Sequence, residues 1–273
     1  MKYLILLISF IFLVGCNEPT ISESENVVEI VRYVKAKEKL EPEIDLTAYE
    51  RKPNEWGENV SGVKTRFVTD EKEIALTFDA CGGEFGNGYD ETLITFLREE
   101  GIPATLFVNE RWIFDNKEIF LKLANDPLFQ IENHGTTHAP LSVDGARAWG
   151  IRGTNSAEDV FAEIMGNHDT VKELTGRDMK LFRSGTAYYD EVAVELANDL
   201  GYEIVNFDIL GDAGATYSAT EVKRALLGAE AGSIALLHMN QPNSGTAEGV
   251  QTAVPLLQAA GFEFVQLADQ ELE

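Results

Sequence analysis

From residue 73 onward the chain alternates short apolar, strand-like runs with longer stretches of helical periodicity. This alternation predicts βα units, in which parallel strands form a sheet and helices pack against it. The predicted strands are Glu73–Asp79, Pro103–Val108, Phe129–Asn133, Lys180–Arg183, Glu203–Asp208, Ser233–His238 and Glu263–Leu267. Seven such strands favour an α/β fold with barrel-like closure, whose site would lie at the carboxyl ends of the strands.

Ionisable residues recur where these predicted strands end. Asp79, Arg183, Asp208 and His238 each close a strand, and His134 directly follows another. Because an unpaired buried charge is costly, side chains that converge on one rim are expected to pair or to bind a metal. The alternative is that all of them are solvated loop starts.

The loop after the third predicted strand carries His134 and His138, four residues apart. On a tight turn this spacing brings both imidazoles to one side, which suits a divalent metal. With Asp79 and His238 predicted on the same rim, the pair indicates a metal centre. The remaining histidine, His168, falls within a predicted helix and is interpreted as a surface residue.

These residues lie in motifs that resemble the polysaccharide deacetylases with a NodB-homology domain, carbohydrate esterase family 4. The run Thr77-Phe78-Asp79-Ala80-Cys81-Gly82 is similar to the family's usual Thr-Phe-Asp-Asp-Gly, and His134 to His138 is similar to its histidine motif. The family's third, fourth and fifth motifs are matched by Phe182-Arg183-Ser184-Gly185, Asp208 and Leu236-Leu237-His238. Over residues 68–268, the resemblance implies a distorted (β/α)7 barrel, a bound divalent metal and hydrolysis of acetyl groups.

The resemblance also implies roles for individual residues. Asp79 is expected to act as the base and, with His134 and His138, as a metal ligand, the metal being zinc. His238 is expected to act as the general acid. Arg183 would orient Asp79, and Asp208 would support Arg183 or His238. A backbone N–H near Thr186 would help to stabilise the oxyanion.

One departure from the family leaves the third metal ligand open. Ala80 stands where the family has its metal-binding carboxylate. Asp79 could take that place, and so could Asp90, whose alternative is a helix cap. Cys81 could approach the metal, or it could be a buried structural thiol.

Two tryptophans are candidates for the substrate groove. Trp112 and Trp149 follow the second strand and the histidine loop, where aromatic rings could stack on sugars, although packing within the protein is the alternative. The Gly-rich and Arg-rich loop from Gly145 to Thr154 is expected to shape the groove.

The amino terminus predicts an export signal. An apolar run follows Lys2 and ends in Leu13-Val14-Gly15-Cys16, which resembles a bacterial lipobox, so residues 1–16 are predicted to be a lipoprotein signal peptide ending at a lipidated Cys16. Residues 17–67 are predicted to be an acidic tether and pre-domain segment, with packing on the domain as the alternative for 45–67. Residues 68–273 form the predicted deacetylase-like domain. The protein is therefore expected to cross the inner membrane and to be anchored by lipid to the cell membrane or outer membrane.

The charge balance restricts the class of binding partner. Lys and Arg number 22 against 46 Asp and Glu, a net charge of −24, which repels phosphate backbones and argues against nucleic acid. The sequence contains neither a Walker loop nor a GxGxxG motif. The expected substrate is an acetylated glycan. The alternatives are a small-molecule amide or cyclic-imide hydrolase and an inactive glycan-binding lipoprotein, and the oligomeric state is left open.

Overall fold

Nine parallel strands form the central sheet in the computed structural model, which describes residues 44–273. The described residues contain thirteen strands, of which β1 pairs with β9 and β6 with β7 outside the central sheet. In chain order they are β1 (Trp56–Gly57), β2 (Val63–Lys64), β3 (Glu73–Ala80), β4 (Ala104–Val108), β5 (Phe129–Asn133), β6 (Arg147–Ala148), β7 (Ile151–Arg152), β8 (Leu181–Phe182), β9 (Tyr189–Asp190), β10 (Glu203–Val205), β11 (Ile209–Leu210), β12 (Ser233–His238) and β13 (Glu263–Phe264). The sheet runs in the order β11-β12-β3-β4-β5-β8-β10-β2, and β13 pairs with the start of β3. All seven predicted strands contribute to it, which confirms the α/β barrel-type fold.

Helices connect the strands and cover the sheet. They are α1 (Glu91–Glu99), α2 (Glu110–Asp115), α3 (Lys117–Ala124), α4 (Ala157–Thr175), α5 (Glu191–Asp199), α6 (Ala219–Leu226) and α7 (Thr246–Ala259), and a 3-10 turn spans Leu46–Tyr49. Local sequence sets their ends. In α4, for example, the Ser156 side chain caps the first turn, and Gly176 ends the helix in a left-handed conformation.

The central strand β3 is buried from Ile74 to Ala80. A strand covered on both faces normally reads as a continuous apolar run. Thr77 and Asp79 break that run, so each needs a polar partner. Thr77 donates a hydrogen bond to the Ala235 carbonyl at 2.7 Å, and the partners of Asp79 lie in the candidate site.

The segment before the predicted domain is part of the folded unit. β1 pairs antiparallel with β9, β2 pairs parallel with β10, and Tyr49 is buried. Asp45–Glu273 accordingly forms one compact unit, so residues 45–67 follow the packing alternative. The predicted signal peptide, Cys16 and the tether up to residue 43 lie outside the described residues. Within 44–273, none of the helices has the length and apolarity needed to cross a membrane.

The predicted strand over residues 203–208 is shorter in the structure. β10 ends at Val205, and the chain then continues to the opposite edge of the sheet, where β11 pairs with β12. Asn206, at the crossing, donates hydrogen bonds to the carbonyls of Glu58 and Ala187. The early end of β10 changes the position of Asp208 relative to the predicted rim.

Candidate metal centre and active site

The loop after β5 brings the two predicted histidines together. The rings of His134 and His138 meet edge to face, with centroids 4.9 Å apart. The buried Glu163 carboxylate fixes the loop, because it accepts hydrogen bonds from the Thr137 and Ala139 amides and from the Thr137 hydroxyl. Gly185 packs so closely on His138 that an added Cβ would lie 2.4 Å from its Cγ. Both imidazoles are therefore held in place before any ligand binds.

The outer hydrogen bond of His134 sets its tautomer. Its Nδ1 lies 2.8 Å from the Arg183 carbonyl oxygen, which can only accept, so Nδ1 carries the proton. The lone pair of Nε2 is then directed into the cluster. Burial lowers the pKa of His134, which favours this neutral form. On His138, the buried Nε2 has no hydrogen-bond partner among the described residues.

Cys81 lies beside the two histidines. Its Sγ is 3.8 Å from His134 Nε2, and ligand atoms of Cys81, His134 and His138 all lie within 4.8 Å of one another. In the described chain this is the one such group of three or more His, Cys, Asp or Glu residues, and Asp79 is not a member. Burial raises the pKa of the Cys81 thiol, but the charges of His138 and His238 outweigh burial and bring it to about 6.

Asp79 lies next to this cluster, but it is held by an arginine. Arg183 Nη1 donates to Asp79 Oδ1 at 2.8 Å, while Asp79 Oδ2 is 3.6 Å from His134 Nε2. Burial raises the pKa of Asp79, but His134 and Arg183 outweigh it, so the pKa lies below its usual value. Arg183 is itself fixed by Thr77 Oγ1 and by the carbonyls of Val205 and Asn206. The prediction that Arg183 orients Asp79 agrees with these contacts.

His238 is supported by Asp212, which the sequence analysis missed. Asp212 Oδ1 lies 2.8 Å from His238 Nδ1, and Asp212 Oδ2 accepts from the His238 amide and from Thr246 Oγ1. Burial lowers the pKa of His238, but the charge and hydrogen bond of Asp212, together with Cys81, outweigh burial and raise the pKa well above its usual value. The pairing with Asp212 therefore favours the protonated form of His238.

The prediction for Asp208 is wrong. Asp208 accepts hydrogen bonds from Arg66, from Ser233 Oγ and from the Ile234 amide, at the amino end of β12. His238 lies at the carboxyl end of the same strand. The misassignment follows from the early end of β10, because Asp208 ends the predicted strand but directly precedes β11 in the structure. The acidic residue within Gly211-Asp212-Ala213-Gly214, after β11, was the signal that pointed to the right position.

A cavity of about 480 Å³ opens onto Asp79 and His238. Its walls include the apolar side chains of Trp149, Ile151 and Leu210, of which Trp149 is 75% exposed. The predicted groove loop thus does line the cavity. Thr186 also lines it, where the sequence analysis expected an oxyanion-binding N–H.

Two other candidates have structural roles. Asp90 is buried and caps α1, with its side chain accepting from the Leu93 amide, and it is not in the metal-ligand group. Trp112 is fully buried, and its indole N–H donates to the Gly88 carbonyl at 2.8 Å, so it cannot stack on a sugar.

A sequence profile described as "Polysaccharide deacetylase" matches residues 67–205, just over half of the 273 residues. The chain belongs to the polysaccharide deacetylase family. This confirms the resemblance inferred from the motifs, and the expectation of a polysaccharide deacetylase-type hydrolase is confirmed at the level of the family. No curated protein matches the chain in sequence.

Solved structures of polysaccharide deacetylase relatives share the fold. A family 4 carbohydrate esterase from Bacillus anthracis is 25% identical, with TM-score 0.59, covering 76% of this chain and 86% of that one. An acetyl xylan esterase from Clostridium thermocellum, in complex with a cobalt ion, is 22% identical, with TM-score 0.60 and coverage of 72% and 89%. A CE4 family pseudoenzyme from Bacillus anthracis is 19% identical, with TM-score 0.64 and coverage of 77% and 69%. Because a pseudoenzyme shares the fold, the fold alone does not establish catalysis.

Proposed function

We propose that the protein is a metal-dependent hydrolase that removes acetyl groups, as amides or esters, from a polysaccharide. The observation that carries this proposal is a single juxtaposition. Two clustered histidines lie beside an arginine-held carboxylate, and that carboxylate and the Asp212-paired His238 face one cavity.

The site fits a divalent metal by its chemistry. His134 Nε2 is left as an acceptor by the bond from Nδ1 to the Arg183 carbonyl, and His138 Nε2 is a buried nitrogen without a partner. Buried polar atoms normally have partners, so this pair is suited to an ion. His134 and His138 would hold the metal, and imidazole ligands favour zinc. When bound, such an ion supplies Lewis-acid chemistry and makes water easier to deprotonate.

Asp79 supplies the base. Arg183 keeps the carboxylate ionised and fixes Oδ1, which leaves Oδ2 directed toward the histidines. A carboxylate held in this position can accept a proton from the attacking water while the arginine prevents its rotation. The lowered pKa of Asp79 means that it is available as a base throughout the neutral range.

His238 supplies the acid. Asp212 fixes the proton on Nδ1 and stabilises the imidazolium, so Nε2 can donate a proton to the departing sugar nitrogen or oxygen. This pairing places an ionised base and a protonated acid at the same cavity, which hydrolysis of an acetyl group requires.

The cavity suits an acetylated sugar better than an anionic ligand. Trp149 offers an exposed aromatic face, and Ile151 and Leu210 add apolar surface. Glu58 also lines the cavity, and the chain carries a large negative charge, so a neutral acetylated glycan is favoured over a phosphorylated one.

The proposed location is the cell envelope, with the protein anchored through lipid on Cys16. The support is the Leu13-Val14-Gly15-Cys16 run after a short apolar segment. Expression of Cys16→Ser beside the parent chain tests it, with membrane partitioning and intact mass as readouts. We expect the variant to lack the lipid mass and to leave the membrane fraction, and unchanged mass and partitioning would contradict the anchor.

Acetate release from acetylated chito-oligosaccharides and acetylated xylan tests the activity. We expect zinc-loaded protein to release acetate, chelated protein to be inactive, and His134→Ala/His138→Ala to lose both metal and activity. The matched control is His168→Gln, because His168 contacts Tyr202 and Asp178 outside the site. Absence of turnover with zinc bound would favour a glycan-binding protein instead. Activity confined to small cyclic amides would favour the small-molecule hydrolase.

A further inference from the structure

We infer that Cys81 Sγ is the third protein ligand of the proposed metal. This inference rests on the proposed metal site, and it concerns the donor that completes it. Cys81 belongs to the group of three whose ligand atoms lie within 4.8 Å, together with His134 and His138. The adjacent Ala80 offers no donor, and Asp79 is not in the group.

The backbone directs the thiol into the cluster. Cys81 directly follows the last residue of β3, and its Sγ and Asp79 Oδ2 both approach His134 Nε2, at 3.8 and 3.6 Å. The Ala80 carbonyl accepts from the Asn109 amide, and the Cys81 carbonyl accepts from Arg111 Nη2 at 3.0 Å. These bonds fix the backbone on both sides of the thiol.

The next residue, Gly82, makes this path possible. Its φ is +69°, and an added Cβ would lie 2.5 Å from the Trp112 backbone nitrogen. Only glycine tolerates both the left-handed conformation and this close approach to α2. The turn after Cys81 is therefore built against the helix that carries Arg111, which leaves the sulfur facing the histidines.

Asp79 is not free to take the ligand position. Its Oδ1 is held by Arg183, whose side chain is fully buried, and its remaining oxygen, Oδ2, is the atom that accepts the proton from water in the proposed mechanism. A buried charge that loses its partner is strongly destabilising. The two residues therefore divide the tasks: Asp79 stays with Arg183 as the base, and Cys81 contributes the anionic ligand.

A thiolate with two imidazoles is a donor set typical of zinc or cobalt, with a coordination position left for water or substrate. It disfavours magnesium and manganese, which prefer oxygen ligands. The inference thus narrows the metal class beyond what the histidines alone indicate.

Absorption spectroscopy of the Co²⁺-loaded full chain tests this directly. A thiolate ligand gives an intense near-ultraviolet thiolate-to-cobalt charge-transfer band, which carboxylate and imidazole ligands do not give. We expect the band in the parent protein and in the Cys16→Ser control, which removes the chain's other cysteine. We expect Cys81→Ser to lose it.

Zinc affinity gives a second readout. We expect Cys81→Ser to bind Zn²⁺ more weakly by a factor above the roughly 10–100-fold cost of losing an outer-shell partner. Cys81→Asp should recover part of that loss without recovering the band. Circular dichroism of each variant separates a change of ligand from loss of the fold. The cobalt absorption spectrum of the parent protein tests the assignment without any substitution.

The outcomes are distinguishable. Stoichiometric cobalt that depends on His134 and His138 but gives no charge-transfer band would overturn the role of Cys81 and leave the proposed metal site standing. A parent protein that binds no metal would overturn both. A band that persists in Cys81→Ser and vanishes in Cys16→Ser would also overturn the assignment.

Discussion

Two arginine–aspartate pairs lie at opposite ends of the sheet, and they share residue types but differ in burial. Arg183 and Asp79, at the carboxyl end, have side chains that are 0% and 5% exposed. Arg66 and Asp208, at the amino end of β12, are 29% and 21% exposed. At ~3.3 Å per residue, the length of β12 separates Asp208 from the site by about 16 Å. The same residue types thus form part of the proposed active site at one end and attach the pre-domain segment at the other.

Replacing each aspartate with asparagine in turn tests whether the two pairs differ in their effect on kcat. Asp79→Asn keeps the shape but removes the charge that accepts a proton, so we expect kcat to fall by about 10²–10⁴-fold. If Cys81 holds the metal, zinc stoichiometry should be unchanged. Asp208→Asn is the matched control and should leave kcat near that of the parent. Full activity in Asp79→Asn on an acetylated substrate would remove Asp79 from the mechanism.

The arginines should differ in stability. Arg183→Met leaves Asp79 buried without its partner, and we expect the free energy of unfolding to fall by about 3–5 kcal/mol in urea titrations. Carbonyl acceptors on Val205 and Asn206 would lose their donor as well. A loss below about 1 kcal/mol would mean that solvent reaches this end of the sheet after all.

The His238–Asp212 pair adds a test through the pH dependence of stability and of kcat. Because folding raises the pKa of His238, its contribution to stability is complete below pH ~6.5 and is lost as pH rises through the folded-state pKa. Asp212→Asn should therefore cost most stability at acidic pH, with the deficit shrinking at alkaline pH. The alkaline limb of the kcat profile should move down by about one pH unit or more. Asp208→Asn should not move it, and an unmoved limb in Asp212→Asn would contradict the acid role of His238.

The smallest effect is expected at the outer pair. Arg66→Met removes a partly exposed ion pair, which is typically worth about 0–1 kcal/mol. Arg66 also donates to the Ala231 carbonyl, so a small loss of stability is expected without a change in kcat. Comparison of its urea midpoint with that of Arg183→Met measures how far burial separates the two pairs.

Periodicity located all seven predicted strands, because alternation of apolar runs with helices is a local property of the chain. It failed at residues 203–208, where β10 ends at Val205 and the chain continues to β11, at the other edge of the sheet. That one boundary led to Asp208 instead of Asp212 as the partner of His238. Asp79, His134, His138 and Arg183 were found because each closes or follows a strand.

The third metal donor could not be decided from sequence. Ala80 indicated that a ligand was missing, but Asp79, Asp90 and Cys81 were all near in sequence. Asp90 caps α1, and Asp79 is held by Arg183 from a distant part of the chain. Only the tertiary contacts of each carboxylate distinguish the residues that are occupied elsewhere from the one that faces the histidines.

The family profile begins at residue 67, yet the folded unit begins at Asp45. Residues 45–66, which precede the profile, contribute to the site. Glu58 lines the cavity, and its carbonyl accepts a hydrogen bond from Asn206, which lies between β10 and β11. The stretch that begins at the family profile is thus shorter at its amino end than the unit that folds. A change at Glu58 would therefore alter the wall of the cavity and leave the proposed acid, base and metal ligands in place.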